Sequence, residues 1–313
     1  MVNESTLPTV DDAAQSAGAA TQDDAVAAFT PMHVMRRRMR SHKGFLIGAG
    51  ILLALLLVAL LAPWIAPYNP LEPVLGNRLL PPAWDNGGRW EHLLGTDHLG
   101  RDYLSRLVYG ARISLAIGFG AASLGCLIGV TLGVCAGYFG GRTDQAINYV
   151  LTCQLALPGL LLTMALVFLI GPSLLVVVCV IGALHWTYYL VVTRSATMQI
   201  RRLDYVTAAQ AIGSTPLQII LYEVLPNVRN QIIVIFTLEV GIAILAEAAL
   251  SFLGVGIQPP TPSWGLMIAE GKTAMFYRPW LVVLPGIAIF LLVIATNLMG
   301  DGLRDVTATE GRN

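Results

Sequence analysis

The sequence predicts an all-α integral membrane protein with six transmembrane helices, and three observations carry that prediction. Of its 313 residues, 55% are hydrophobic and only 12% charged, with a mean hydropathy of +0.67, whereas soluble chains carry about 25% charge. The apolar residues come in long unbroken blocks rather than at helical or strand periods, so lipid is the solvent for most of the chain. Five cations, Arg36, Arg37, Arg38, Arg40 and Lys43, stand immediately before the first block.

Each element follows in order. Residues 1–35 form a tail that is rich in Ala, Ser, Thr and Asp, with Phe29 as the single aromatic of residues 1–30. Such a stretch buries too little surface to offset its chain entropy and predicts disorder. It also lacks the basic start and short apolar core of a cleaved signal peptide. Phe45 to Trp64 is uncharged and long enough to cross a bilayer as a helix. The preceding cations place the N-terminus in the cytoplasm, and Trp64 and Tyr68 suit the far interface. A proline-rich outer loop follows over about 67–110. At its end Leu104, Leu107, Val108 and Ala111 recur at helical spacing, with Arg101, Ser105 and Arg112 opposite, which predicts an amphipathic interfacial helix.

Five further spans are predicted near 113–138, 146–170, 173–193, 231–257 and 280–300. With the N-terminus inside, the loop 194–230 and the C-terminus are cytoplasmic, and 12 Lys and Arg fall inside against 7 outside. The chain thus divides into the tail 1–35, a unit of first span, outer loop and interfacial helix (36–110), a five-helix core (111–305), and a C-terminal tail (306–313). Gly125, Gly129, Gly133 and Gly137 form a ladder at i+4 on the second span, suited to close approach of another helix in lipid. Packing within the chain is favoured over a subunit interface.

Several functions are excluded. A formal net charge of zero gives no field for nucleic acid. Cys126, Cys135, Cys153 and Cys179 form no CxxC pair and read as small core hydrophobes. The five histidines have no metal-ligand spacing. Gly271-Lys272-Thr273 is not a phosphate loop, because position 266 is Leu266 and Gly265 lies one residue too far. A membrane enzyme lacks catalytic groups: neither a G-x-S-x-G elbow nor H-E-x-x-H is present. The two halves show no internal repeat of the kind that marks inverted-repeat secondary transporters.

The cytoplasmic loop carries the mechanism. Asp204 to Asn227 is helical by propensity and breaks at Gly213, a natural helix end. Thr215-Pro216-Leu217-Gln218 supplies an N-cap, a first-turn proline and a capping-box Gln, and Pro226 is expected to end the second helix.

Ala208-Ala209, then Gly213, then Leu225-Pro226 resembles the EAA loop of binding-protein-dependent ABC importers. Thr207 stands where that family often has an acid, and Glu223 where it has an apolar residue. HLLGTDHLGRDYLSRLVYGARISL (92–115), EAALSFLGVGIQPPTPSWG (247–265), NLMGDGLRD (297–305) and IAPYNP (65–70) are similar to hallmarks of the C-type subunit of dipeptide, oligopeptide and nickel permeases. LLPPAWDNGG (79–88) leans toward the dipeptide members. Gln154 departs from a common Asp, and Asp305-Val306-Thr307 departs from the usual D-P.

The resemblance implies a type I importer core that moves dipeptides or short oligopeptides by alternating access. It implies a homologous B-type permease subunit, two ATPase subunits that bind ATP and Mg, a periplasmic binding protein, and a bacterial inner membrane. No cofactor is expected in this chain. Thr207, Ala208, Ala209, Gly213, Leu225 and Pro226 become the candidates for docking into the ATPases. Nickel or another small solute, or transport without ATPases, are the alternatives. Glu239 and Glu247, carboxylates within the fifth span, are candidates for path lining or gating, or for structural bonding. Arg101 and Asp102 are expected to pair and fix the interfacial helix, or to meet the binding protein. Asn297 and Asp301 are expected to cap the last span or bond the cytoplasmic loop.

Overall fold

The computed structural model describes residues 42–307; the expected disordered tail 1–35 and the cations Arg36 to Arg40 lie outside the described residues. The fold is helical, and an isolated bridge between Thr96 and Asp102 is the one strand-like pairing among the described residues. The helices are α1 (Lys43–Leu60), α2 (Tyr103–Phe139), α3 (Gly141–Leu155), α4 (Gly159–Ile170), α5 (Leu174–Leu184), α6 (Trp186–Ile200), α7 (Asp204–Ala211), α8 (Pro216–Ile219), α9 (Leu225–Phe252), α10 (Trp264–Gly271) and α11 (Trp280–Thr307). Five stretches are long and apolar enough to cross a membrane: α1, α2, α5 with α6, α8 through α9, and α11. The bent pair α3 and α4 makes a sixth if counted as one broken span.

The helices run between two ends. The segments 61–102, which holds only a one-turn helix at Ala62–Ile65 and a 3-10 turn at Leu75–Asn77, and 253–263 gather with helix α10 at one, called here the loop end. The turn after α6, α7, α8 and both described chain ends gather at the other, the hairpin end.

α2 is the axis of the fold. Asp102 caps it by accepting from the Ser105 amide at 2.8 Å, and Gly140, at φ +64°, stops it. Its 37 residues extend about 55 Å at 1.5 Å per residue, well beyond a hydrocarbon core of about 30 Å. The interfacial helix expected over 104–112 is therefore the first part of α2 and not a separate element. Its expected polar side is only partly wet: Arg101 and Ser105 are buried against α10 and the loop, as is Arg106, while Arg112 is exposed.

The glycine ladder of α2 packs within the chain. A Cβ on Gly137 would stand 2.7 Å from the Arg194 carbonyl oxygen, and Gly129 and Gly133 lie equally tight on α6. The backbones touch, and Tyr189 Oη donates across the seam to the Ala122 carbonyl at 3.1 Å. The hydrophobic cores on either side join α2 to α1, α9, α10 and α11, and to α4, α5 and α9.

Four expectations are corrected. The span 146–170 is bent by 85° between α3 and α4; Pro158 disfavours helical backbone at Leu157 and heads α4. Pro226 does not end its helix. A π turn over Ile220–Val224 leads into α9 with Pro226 in its first turn, because the widened turn accommodates a residue without an N–H. The last helix continues to Thr307, so Asn297 and Asp301 are exposed within it and cap nothing, and Val306 and Thr307 of the expected tail are helical. Cys153 and Cys179 are exposed on the helix bundle rather than in its core.

Candidate functional site

Two regions stand apart from simple packing. The first is the helical hairpin after α6. Val206, Ile219 and Val224 are buried against Val134, Tyr138, Ala196 and Val228, so the hairpin is rooted on α2, α6 and α9. Gly213, at φ +95°, closes α7. Its amide donates to the Gln210 carbonyl and the Ser214 amide to the Ala209 carbonyl, both at 3.0 Å, a Schellman end. Thr215 and Gln218 form the expected capping box, with Thr215 Oγ1 accepting from the Gln218 amide and Gln218 Oε1 accepting from the Thr215 amide at 2.8 Å. Asn227 Nδ2 donates to Tyr205 Oη at 3.1 Å and ties α7 to α9. Burial and the nearby Glu223 raise the Tyr205 phenol above its ordinary value. Thr215→Ala is expected to weaken this start by about 1 kcal/mol. Hydrogen exchange should show the loss as faster amide exchange confined to 216–224.

Of the residues singled out in this hairpin, Thr207, Ala208, Gly213 and Pro226 are exposed, while Ala209 and Leu225 are half-buried. No heavy atom lies within 4 Å of where a Gly213 side chain would begin. Sequence reading missed the apolar surface beside them: Ile212 is 86% exposed, Tyr222 74% and Leu217 65%. Ile212 lies before the α8–α9 stretch and Leu217 and Tyr222 in its first turns; three large apolar side chains exposed on this hairpin form a surface suited to a protein partner.

The second region lies where two helices break side by side. The α3/α4 break and the α5/α6 break at His185 border a cavity of about 510 Å³, closed on its third side by α9. Gln154 Nε2 donates to the Leu184 carbonyl at 2.6 Å, satisfying an acceptor that the interrupted helix leaves open and linking the two breaks. His185 Nδ1 lies 2.9 Å from Glu239 Oε2, and Glu239 is 2% exposed. Backbone broken at mid-span is tolerated where it borders a cavity or is buried in protein.

The remaining candidates fall elsewhere. Glu247 is fully buried at the loop end of α9, where Oε1 accepts from Ser251 Oγ at 2.7 Å and Ser263 Oγ at 2.9 Å. Ser263 in turn caps α10, and the next residue, Trp264, bonds α2 through Ser114 Oγ and the Leu107 carbonyl, each at 3.0 Å. Glu247 thus faces packed protein and does not border the cavity. Arg101 and Asp102 do not pair with each other. Arg101 Nε donates to Asp97 Oδ2 at 2.6 Å and its Nη2 reaches Glu270 Oε1 at 3.1 Å, whereas Asp102 holds His92 Nδ1 at 3.0 Å and the start of α2. Asp97, His98 and Glu270 lie close enough together to share a metal ion, but Arg101 and Arg106 already neutralise both carboxylates.

Comparison with known proteins agrees with this anatomy. Residues 129–307 match the family described as binding-protein-dependent transport system inner membrane component, and residues 30–82 match the N-terminal TM domain of oligopeptide transport permease C. The chain is 43% identical over 284 residues to the di/tripeptide transport system permease protein DppC of Pseudomonas aeruginosa, covering 91% of this chain and 94% of that one. It is 42% identical over 276 residues to the dipeptide transport system permease proteins DppC of Haemophilus influenzae and Escherichia coli K12, covering 88% of this chain and 94% and 92% of theirs.

Proposed function

Because this chain belongs to the family of binding-protein-dependent transport system inner membrane components, we propose that it is the membrane-spanning permease subunit of an ATP-driven importer of dipeptides or short oligopeptides. Its relatives named for dipeptide transport, at 42–43% identity over most of the chain, support that substrate class over nickel.

The observation that carries the mechanism is the capped hairpin 204–225 with its exposed apolar tip. A subunit working without ATPases would leave Ile212, Leu217 and Tyr222 in water, at roughly 25 cal/mol for each Å² of apolar surface. Docking of α7 and its tip into a partner ATPase covers that surface. Thr207, Ala208 and Gly213 present little bulk, so the helix sinks into a partner's groove. The π turn and α9 form a continuous stretch from the tip to Glu239, which makes α9 the rod that carries ATPase closure to mid-membrane.

In this mechanism a periplasmic binding protein delivers peptide to a path between this subunit and a homologous B-type partner. Two ATPase subunits bind ATP and Mg; this chain holds neither. The protein resides in a bacterial inner membrane with both termini cytoplasmic, which puts the hairpin end on the ATPase side.

The test is ATP hydrolysis by the purified complex, stimulated by dipeptide-loaded binding protein. Gly213→Ala carries the strain of a side chain at positive φ, about 1–2 kcal/mol, with almost no bulk. Gly213→Trp adds bulk at the docking surface. Stimulated hydrolysis is expected to survive in the first and to fall at least tenfold in the second, with assembly of the membrane subunits intact. Equal stimulation in both variants would remove the hairpin from the coupling role.

A further inference from the structure

The cavity between the two broken helices has a chemical bias. Its polar lining is Gln154, Thr163, His185, Thr187 and Tyr188, with apolar side chains of α4 and α9 completing it. None of these carries a fixed charge. The nearest charge in hydrogen-bonding contact with the lining is the carboxylate of Glu239, which reaches the cavity only through His185. Glu239 is shut off from solvent, while the His185 side chain keeps 19% of its surface. In the neutral imidazole whose Nδ1 donates to the Glu239 carboxylate, Nε2 carries a lone pair. Among the described residues Nε2 has no partner, and His185 borders the cavity.

From this juxtaposition we infer that His185, held by Glu239, is a substrate-contacting acceptor that takes a hydrogen bond from the N-terminal ammonium of a peptide in transit. Three features favour a cation over an anion there. His185 borders the cavity, a carboxylate backs its other ring nitrogen, and no Lys or Arg lies among the lining residues to attract a carboxylate. The cavity volume of about 510 Å³ falls within the roughly 300–1,000 Å³ typical of small-ligand sites. Its walls are otherwise apolar and read no particular side chain, as suits a path for peptides of varied sequence. Gln154 is a positioning residue: its bond to the Leu184 carbonyl fixes the break that presents His185.

This inference rests on the peptide-importer reading, and the experiment separates the two. The complete transporter is reconstituted in proteoliposomes with ATP inside and binding protein saturated with Ala-Ala outside. Peptide taken up per ATP hydrolysed is then measured for wild type, His185→Gln, His185→Phe and Glu239→Gln. Gln keeps an acceptor at His185 and Phe removes it. His185→Phe is expected to lower uptake per ATP roughly tenfold, the factor for losing one charge-assisted hydrogen bond, while binding protein still stimulates hydrolysis. His185→Gln should retain at least half of the wild-type ratio. Glu239→Gln should fall between them, because His185 keeps a hydrogen-bond partner at Nδ1 but loses the negative charge behind it. Loss in His185→Gln equal to that in His185→Phe, or wild-type ratios in all variants, overturns the inference. No Ala-Ala uptake by a wild-type complex that hydrolyses ATP overturns the peptide-importer reading instead.

Discussion

Replacing Gly129 with leucine is expected to keep the subunit from reaching its native core. A Cβ there would press on the Trp186 carbonyl oxygen and lie 2.6 Å from Tyr189 Cβ, so the obstacle is mostly backbone. α6 has no room to recede. It is held above by the Tyr189 bond to Ala122 and below by the tight approach at Gly137. In lipid no hydrophobic force presses the two helices together again, so close packing of small residues is itself the attraction. Overpacking costs about 1–3 kcal/mol even where neighbours yield, and a leucine against fixed backbone belongs at or above that upper figure. Gly50, on α1, has no atom within 4 Å of its Cβ position, so Gly50→Leu is the matched control. The measurement is the yield of monodisperse complex after detergent extraction, with its thermal midpoint. Gly50→Leu should match wild type, Gly129→Ala should lose part of the midpoint, and Gly129→Leu should yield no assembled complex. A wild-type midpoint for Gly129→Leu would mean that the α2–α6 seam is looser than described here.

The same seam shows why much of the fold was legible in the sequence. Hydropathy marks spans because lipid demands apolar side chains at every exposed position, and a ladder at i+4 marks a helix face. The capping box at Thr215 and the stop at Gly213 are local chemistry, readable within five residues. The break after α3 was less visible. Pro158 signals it, but hydropathy continues across it, and a 25-residue apolar block reads as one span. The fusion of the expected interfacial helix into α2 was hidden for another reason. Arg101 looks like part of a wet face with Ser105 and Arg112, but Asp97 and Glu270, the latter 169 residues away, neutralise it in the interior together with Arg106.

The candidate site was legible in halves. Glu239 stands out because a carboxylate within an apolar span calls for a partner. Its partner, His185, is 54 residues away on another helix, and no spacing rule joins them. Gln154 drew notice only as a departure from a family pattern; its bond across two breaks depends on both breaks being known. The apolar tip was missed because Ile212, Leu217 and Tyr222 lie at positions where an amphipathic helix would bury them. Only the orientation of α7 and α8 on the bundle shows that they point outward.

Glu270→Ala is expected to release the loop 61–102 from the bundle. Arg106 is fully buried and Arg101 is 2% exposed, and two carboxylates balance the two guanidiniums. Asp97 Oδ2 takes Arg101 Nε at 2.6 Å and lies 3.3 Å from Arg106 Nε; Glu270 takes Arg101 Nη2 at 3.1 Å and Arg106 Nη2 at 2.7 Å. Without Glu270 one positive charge stays buried and unmatched, at a cost of about 3–5 kcal/mol. The 13% exposure of the Glu270 side chain lets some water in and favours the lower figure. The strain is relieved most easily by letting the loop lift. Asp97 belongs to it, and its backbone holds Leu79 and Arg101, so the backbone around Arg78 and Arg89, whose side chains are already exposed, should open into a conformation a protease can bind. Trypsin added to the purified protein is then expected to cut Glu270→Ala near these two arginines at least tenfold faster than wild type. Glu270→Gln keeps an acceptor for one guanidinium without the charge and should be cut at an intermediate rate. Removing both members of a pair should hurt less than removing one, so Arg106→Met with Glu270→Met should restore protection. Equal cleavage rates in wild type and Glu270→Ala would mean that the loop is held by its own hydrogen bonds and that this charge network does not fasten it.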